Sequence, residues 1–224
     1  MNGVIQIFEL PHVQIDMREA CRYLGYGTQE PTGQVRALLQ EAEQTVLCQA
    51  RFRACYASVD LHDDGTTLDA GFAHVSSVAL RRNLCGCAQA YVLCATLGVQ
   101  IDRCIATQAA IAPSRALVLD AVATAAIESF CDALCAMLEQ KTCEKLRPRF
   151  SPGYGDLPLA VQEQLVRYLD APRKVGVTLT RTLQMTPRKS VTAIAGIGGV
   201  SAMQTSGCRA CDKRDCPFRK LEEK

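Results

Sequence analysis

Arg149 and Tyr154 stand five residues apart in LRPRFSPGYGDLP, residues 146–158, a stretch that also holds three prolines and two glycines. Proline fixes φ, whereas glycine admits positive φ and close approach of another group. The dipeptide Pro152-Gly153 is a strong turn signal. Such a bend can present backbone N–H and C=O groups to a flat heterocycle. The guanidinium of Arg149 is a planar fork suited to a carboxylate or phosphate. Tyr154 offers a ring face and a hydroxyl. Together they fit a ligand with one anionic and one aromatic end. The residues alone fit better a rigid connection between two helices.

A second cluster lies in GCRACDKRDCPFRK, residues 207–220, where Cys208, Cys211 and Cys216 form C-x2-C-x4-C. Thiolates at this spacing converge on a soft metal. Zinc and iron–sulfur clusters take four ligands. The fourth here is another cysteine, a partner residue or an exogenous group. Arg209, Lys213, Arg214, Arg219 and Lys220 surround the trio and favour its thiolate form. An iron–sulfur cluster, a zinc ion and an unmetallated reducible tail all remain open.

The elements that must position these residues mix helix and strand. Asp16 with Glu19 has capping-box spacing, and Gly25 is a stop. Val35, Leu38, Leu39, Ala42 and Val46 mark one face of a helix over 33–49. Residues 52–75 read as a hairpin turning at Asp64-Gly65. Ser76 or Ser77 caps a short helix reaching Arg82. A buried strand follows over 88–98, then a helix over 99–108. Pro113 and Ser114 open the longest helix, to about Lys145. On it Asp120, Thr124, Glu128 and Asp132 recur every fourth residue and form a polar stripe, read as a solvated face. Asp156 is the expected cap of a helix running through Leu169. Strands are expected over 175–187 and 190–199. The predicted fold class is α+β, with helices around a twisted, largely antiparallel sheet, as one domain over 1–200 and a cysteine-rich tail over 201–224. No G-x-G-x-x-G opens a helix, which excludes a Rossmann site.

Composition narrows the function classes. The 224 residues carry a formal charge of +2, which gives no reason to expect nucleic acid or an anionic membrane. The apolar stretch 116–138 is interrupted by Asp120, Glu128 and Asp132, and so reads as a core helix and not a membrane span. The opening MNGVIQIFEL lacks the pattern of an export signal. The 13 cysteines are therefore expected to stay reduced in the cytoplasm, ten of them as small buried hydrophobes. His12, His62 and His74 fall in loop or hairpin segments, and no Ser/His/Asp or Cys/His set is evident.

Arg149 to Tyr154 resembles the R-x-x-x-G-Y motif of the activation domain of cobalamin-dependent methionine synthase. MTPRKSVTAIAG (185–196) is similar to a second signature of that family. ATLGVQIDR (95–103), LVLDAVATAAIESFCDAL (117–134) and RYLGYG (22–27) follow in family order, so the likeness spans residues 15–200. The resemblance implies a methionine synthase activation domain-like fold that binds S-adenosylmethionine. It implies reductive methylation of a Co(II) corrinoid, with an electron from a flavodoxin- or ferredoxin-like donor. Carried over, Arg149 pairs with the methionyl carboxylate, and the backbone at Ser151 and Gly153 meets the adenine. Tyr154 borders ligand and corrin at the reacting end, and Glu128 matches a ligand-contacting helix glutamate.

Three departures qualify the carry-over. Asp16 is the nearest counterpart of an acidic ligand contact near the start of the family domain. The interval from Glu128 to Arg149 is shorter than in the large enzymes. No D-x-H-x-x-G stretch is present, so the cobalamin must arrive on a partner, a separate methionine synthase or related corrinoid protein. The rival readings are a binding module for S-adenosylmethionine or a corrinoid protein without turnover, and a metal protein whose tail carries the function.

Overall fold

The computed structural model describes residues 3–27 and 29–198. Alternating apolar residues build its centre. β2 (Phe52–Asp60) and β6 (Gln89–Thr96) are buried on both faces. β1 (Gln6–Leu10) flanks β2, and β9 (Ser190–Ile197) flanks β6. The order is β1-β2-β6-β9, and every pair is antiparallel. Phe52, Ala54, Tyr56, Tyr91, Leu93 and Ala95 face one core. Cys55, Ala57, Val59, Val92, Cys94 and Ile194 face the other. The period of two thus divides the strands between two apolar layers.

The first layer is helical: α1 (Met17–Tyr23), α2 (Gly33–Gln49), α4 (Val99–Ile111) and α5 (Pro113–Thr142). Asp16 caps α1 as the sequence suggests, its carboxylate accepting from the N–H groups of Arg18 and Glu19. α2 buries Leu39, Ala42 and Val46. α5 begins with Pro113 in its first turn and ends where Cys143 turns left-handed at φ 56°, short of the expected Lys145. Among the described residues it is the one helix long and apolar enough to cross a membrane. Here it is the spine of the first core, packed against α1, α2, α4 and β6. Phe130 sits fully buried at its middle, between Phe8 and Phe52, at 5.6 Å from each ring.

The second layer holds α3 (Val78–Asn83), α6 (Val161–Tyr168), α7 (Ala171–Lys174) and a small sheet of β3 (His62–Asp63), β4 (Leu68–Asp69) and β5 (His74–Val75). The single hairpin expected over 52–75 is therefore divided. β2 pairs with β1 and β6 in the main sheet, and the Asp64-Gly65 turn joins β3 to β4. The expected strand over 175–187 reduces to the two-residue pair β7 (Thr178–Leu179) and β8 (Met185–Thr186).

The described cysteines are all free. Cys55, Cys94 and Cys131 are buried as expected, but Cys48, Cys85 and Cys143 are exposed. The reading of all ten as buried small hydrophobes is corrected accordingly, since helix faces and loop ends set exposure residue by residue. The α+β expectation itself holds, with helices on one face of a four-stranded antiparallel sheet and mixed elements on the other.

Candidate functional site

After α5 the chain runs along the free edge of β9. Leu146 and Phe150 bridge to Ile197 and Ile194 in antiparallel sense. The N–H of Arg147 donates to Gly196, the N–H of Phe150 donates to Ile194, and Ile194 returns a bond to Phe150, all at 2.8–2.9 Å. An interrupted fifth strand thus carries Arg149 across the sheet edge. There the carboxylates of α5 receive it.

Arg149 is clamped by two of them. Its Nη2 donates to Glu128 Oε2 at 2.7 Å, and its Nη1 to Asp132 Oδ1 at 2.6 Å. Its side chain is 19% exposed, against 41% for Glu128 and 70% for Asp132. Cys135, whose Sγ lies 3.7 Å from Nη1, has its thiol pKa pushed up by burial, with Arg149 opposing.

The polar stripe of α5 is therefore not a merely solvated face. Its other half holds a second cation. Lys189 Nζ lies 3.0 Å from Asp120 Oδ1 and donates to Thr124 Oγ1 at 2.7 Å, with its side chain 12% exposed. Lys189 belongs to the MTPRKS stretch and Arg149 to RFSPGY. The two motifs converge on successive turns of one helix.

Beyond Arg149 the bend is a nest of turns. Tyr154 N–H donates to Ser151 O, Gly153 N–H to Leu157 O, and Leu157 N–H to Tyr154 O, at 2.9–3.1 Å. Gly153 sits at φ 91° and Gly155 at φ 55°, where a side chain would be strained. Leu157 is buried beneath them. The Gly153 N–H and Ser151 C=O thus close the bend internally, where the sequence suggested groups turned outward. Tyr154 is 65% exposed, its ring edge-on to Phe150 at 6.4 Å.

Asp156 does not cap the helix that follows it. α6 starts at Val161 after Ala160. The Asp156 carboxylate instead reaches α3, accepting from Ser77 Oγ at 2.5 Å, Val78 N at 2.7 Å and Ala79 N at 3.1 Å. These bonds, the Ser77 hydroxyl foremost, hold its pKa below the ordinary carboxylate range. Ser77 also caps α3 through Leu80 N. The bend is thereby fastened to a helix almost 80 residues earlier.

Tyr23 joins this neighbourhood from the end of α1. Burial raises its phenol pKa, the Glu128 carboxylate raises it further, and Tyr154 adds a smaller push. Sequence reasoning passed over Tyr23 as a site residue, although it lies within RYLGYG. Asp16, the nearest acidic counterpart, uses its carboxylate as the α1 cap, while its N–H donates to Ser129 Oγ on α5. Arg149 thus meets Glu128 directly, and Ser151, Gly153 and Tyr154 lie in the bend that follows Arg149 along the chain. Cys208, Cys211 and Cys216 lie outside the described residues.

The exposure of Tyr154, Asp132 and Glu128 leaves the site open to solvent. A cleft of about 220 Å³ between α2, α4 and α5 and a groove of about 420 Å³ beside α3 both lie elsewhere, and neither is lined by Glu128, Arg149 or Tyr154.

No family model and no curated protein matches the sequence. Among solved structures, the chain is similar to the crystal structure of the MetH reactivation domain bound to AdoHcy, at a TM-score of 0.63 and 13% identity, over 90% of this chain and 80% of that one. The chain has the fold of the MetH reactivation domain. At 13% identity the likeness is one of architecture. Within that reactivation-domain architecture, the Arg149 clamp, the bend and the Lys189 anchor are features of this chain's own side chains.

Proposed function

We propose that this protein binds S-adenosylmethionine at a site formed by Glu128, Arg149, Tyr23 and the Ser151–Tyr154 bend, and uses it to methylate the reduced cobalt of a corrinoid carried by another protein. The observation that carries this reading is the juxtaposition of Arg149 and Glu128 at 2.7 Å, with an exposed Tyr154 five residues further along the chain. The methionyl end of the ligand is a zwitterion. A partly exposed carboxylate next to a guanidinium complements its ammonium and carboxylate together. Binding exchanges one ion pair for two, so the charges of the clamp stay paired. Tyr154 and Phe150 offer aromatic surface to the remainder of the ligand. The reactivation-domain fold of an AdoHcy-bound protein supports the same ligand class.

The chemistry asks little of protein side chains. One electron from a flavodoxin- or ferredoxin-like donor reduces Co(II) to Co(I). The cobalt electron pair then forms the Co–C bond, and the S–CH3 pair remains on sulfur, leaving AdoHcy. No proton moves, so no general base is required. The protein contributes alignment and exclusion of water. An open site suits this role, because the second wall comes with the corrinoid protein.

Calorimetric titration of the full chain with AdoHcy tests binding. Anaerobic mixing with S-adenosylmethionine, a low-potential reductant and a Co(II) corrinoid protein tests transfer, read as the methylcobalt absorption spectrum. Heat of binding together with the methylcobalt spectrum is the expected result. Absence of any heat with AdoHcy on folded protein defeats the reading at its first step.

A further inference from the structure

Two cysteines flank one glycine in the Cys85-Gly86-Cys87 loop, directly after α3. The loop is a tight turn. Cys87 N–H donates to Leu84 O at 3.0 Å, and Gly86 takes φ 77°, the positive value that this turn position reserves for glycine. Leu84 is buried and anchors the turn in the second core. Residues two apart lie at most about 7 Å from each other in extended chain, and a turn shortens that span. A disulfide needs Cα atoms no more than about 7 Å apart. The turn therefore holds Cys85 and Cys87 at a separation that a disulfide can bridge.

The two thiols differ in access. Cys85 is exposed, while Cys87 is half-buried. Cys87 Sγ donates to Gly198 O at 3.3 Å, and it lies so near Gly196 that an added Cβ there would stand 2.7 Å from it. Arg147 steadies the outer half of the turn, donating to Cys85 O at 3.0 Å. Both cysteines line the groove of about 420 Å³ beside α3, together with Arg81 and Arg82. Arg81 is held by both carboxylate oxygens of Asp63 at 2.9 Å. Arg82 is exposed and has no carboxylate partner among the described residues. An exposed thiol with a second thiol behind it is the arrangement of an attacking and a resolving cysteine.

We infer that Cys85 and Cys87 form a thiol–disulfide exchange site for a small disulfide that carries carboxylates. The Cys85 sulfur, its proton lost to solvent, attacks one sulfur of that disulfide. The S–S bond breaks, a new S–S bond joins the small molecule to Cys85, and the first small thiol leaves and takes up a proton. Cys87 then loses its proton, attacks the Cys85 sulfur and expels the second small thiol. The protein dithiol is oxidised by two electrons, and the small disulfide is reduced to two thiols. Arg82 receives a carboxylate of the incoming molecule. Closure removes the Cys87 hydrogen from Gly198 O and draws the sulfur off Gly196, so the oxidised pair loosens the end of β9.

Oxidised glutathione added to the reduced full chain tests the assignment, with acid quenching, alkylation, tryptic digestion and mass spectrometry. One tryptic peptide, residues 83–103, carries Cys85, Cys87 and the buried Cys94. It should lose two hydrogens, with the link between Cys85 and Cys87 and with Cys94 still reduced. Cys87→Ser should stop at the glutathione adduct of Cys85, and Cys85→Ser should leave Cys87 reduced. Cys85 should react faster than the exposed Cys48 and Cys143. Arg82→Gln should slow the reaction about two- to fivefold, the worth of an exposed ion pair, and should not slow reaction with the cationic disulfide cystamine. An unchanged rate with glutathione in that variant overturns the carboxylate-bearing substrate class. A wild-type peptide lacking the Cys85–Cys87 link overturns the inference, as does a Cys85 that reacts no faster than Cys48 and Cys143. The wild-type chain alone decides both points, so the folding of a variant does not bear on them. Neither readout depends on AdoHcy binding, so this inference and the proposed function fail separately.

Discussion

Arg149 and Glu128 meet at 2.7 Å across 21 residues of chain, with Asp132 closing the other side of the guanidinium at 2.6 Å. One cation thus locks the RFSPGY segment to α5 and keeps a partly exposed carboxylate beside it.

Arg149→Lys retains charge but not the planar fork that spans two carboxylates. AdoHcy affinity should fall about 10- to 100-fold, the worth of one charge-assisted hydrogen bond. Calorimetry on this variant and on Glu128→Gln checks it. Unchanged affinity in both, alongside a lowered melting temperature, would reduce the clamp to a structural tie.

Lys189→Met leaves the Asp120 carboxylate and the Thr124 hydroxyl without their shared cation. Folding stability should drop by about 1–3 kcal/mol, the usual worth of hydrogen bonds to a charged group. Urea denaturation measures this directly. A midpoint equal to wild type would show that water replaces the lysine at no cost.

Gly196→Ala places a methyl group 2.7 Å from Cys87 Sγ, 2.9 Å from Leu84 Cδ2 and 3.1 Å from Arg147 Cγ. Overpacking of this kind costs about 1–3 kcal/mol. The strain falls between β9 and the 85–87 loop, so hydrogen exchange should quicken first at the Arg147 and Gly198 amides, which bond to the backbone there. Protection equal to wild type at both amides would contradict the tight packing.

Asp156 gives the bend a dependence on acid. Its pKa is depressed in the folded state, chiefly by the Ser77 hydroxyl and then by the α3 backbone. Such a group contributes stability that is present above its unfolded pKa of about 3.9 and is lost as pH falls through its lower folded value. Wild type should therefore exceed Asp156→Asn in urea midpoint at about pH 6, and the gap should narrow below about pH 4. A constant gap across that range would mean that the carboxylate charge does not hold the bend to α3.

Much of the scaffold was legible because its causes are local. The Asp16 cap needs only the next few N–H groups, and the α2 face follows from residues three and four apart. Pro113 marks the start of α5 for the same reason. Where a residue acts at long range, local reading misplaced it. Asp156 has the type and position of a helix cap, and it is one, for α3 rather than for the helix that follows it. The four-residue spacing of Asp120, Thr124, Glu128 and Asp132 defined a stripe, but periodicity is silent on what covers a stripe. The division of residues 52–75 between two sheets was hidden as well, because strand partners are chosen by distant segments.

By itself the chain's order of residues determined most of the helices, the strands within 88–98 and 190–199, the stiff bend from Ser151 to Tyr154, and the tail's three-thiol spacing, since torsional preference and hydrophobic period act over a few residues. Only the tertiary structure decided that Arg149 and Lys189 dock side by side on α5, that the Glu128 carboxylate acts on the Tyr23 phenol, and that Cys87 donates to the Gly198 carbonyl. Those pairings depend on which faces the two apolar layers bury against the sheet, and burial is a property of the whole packed chain.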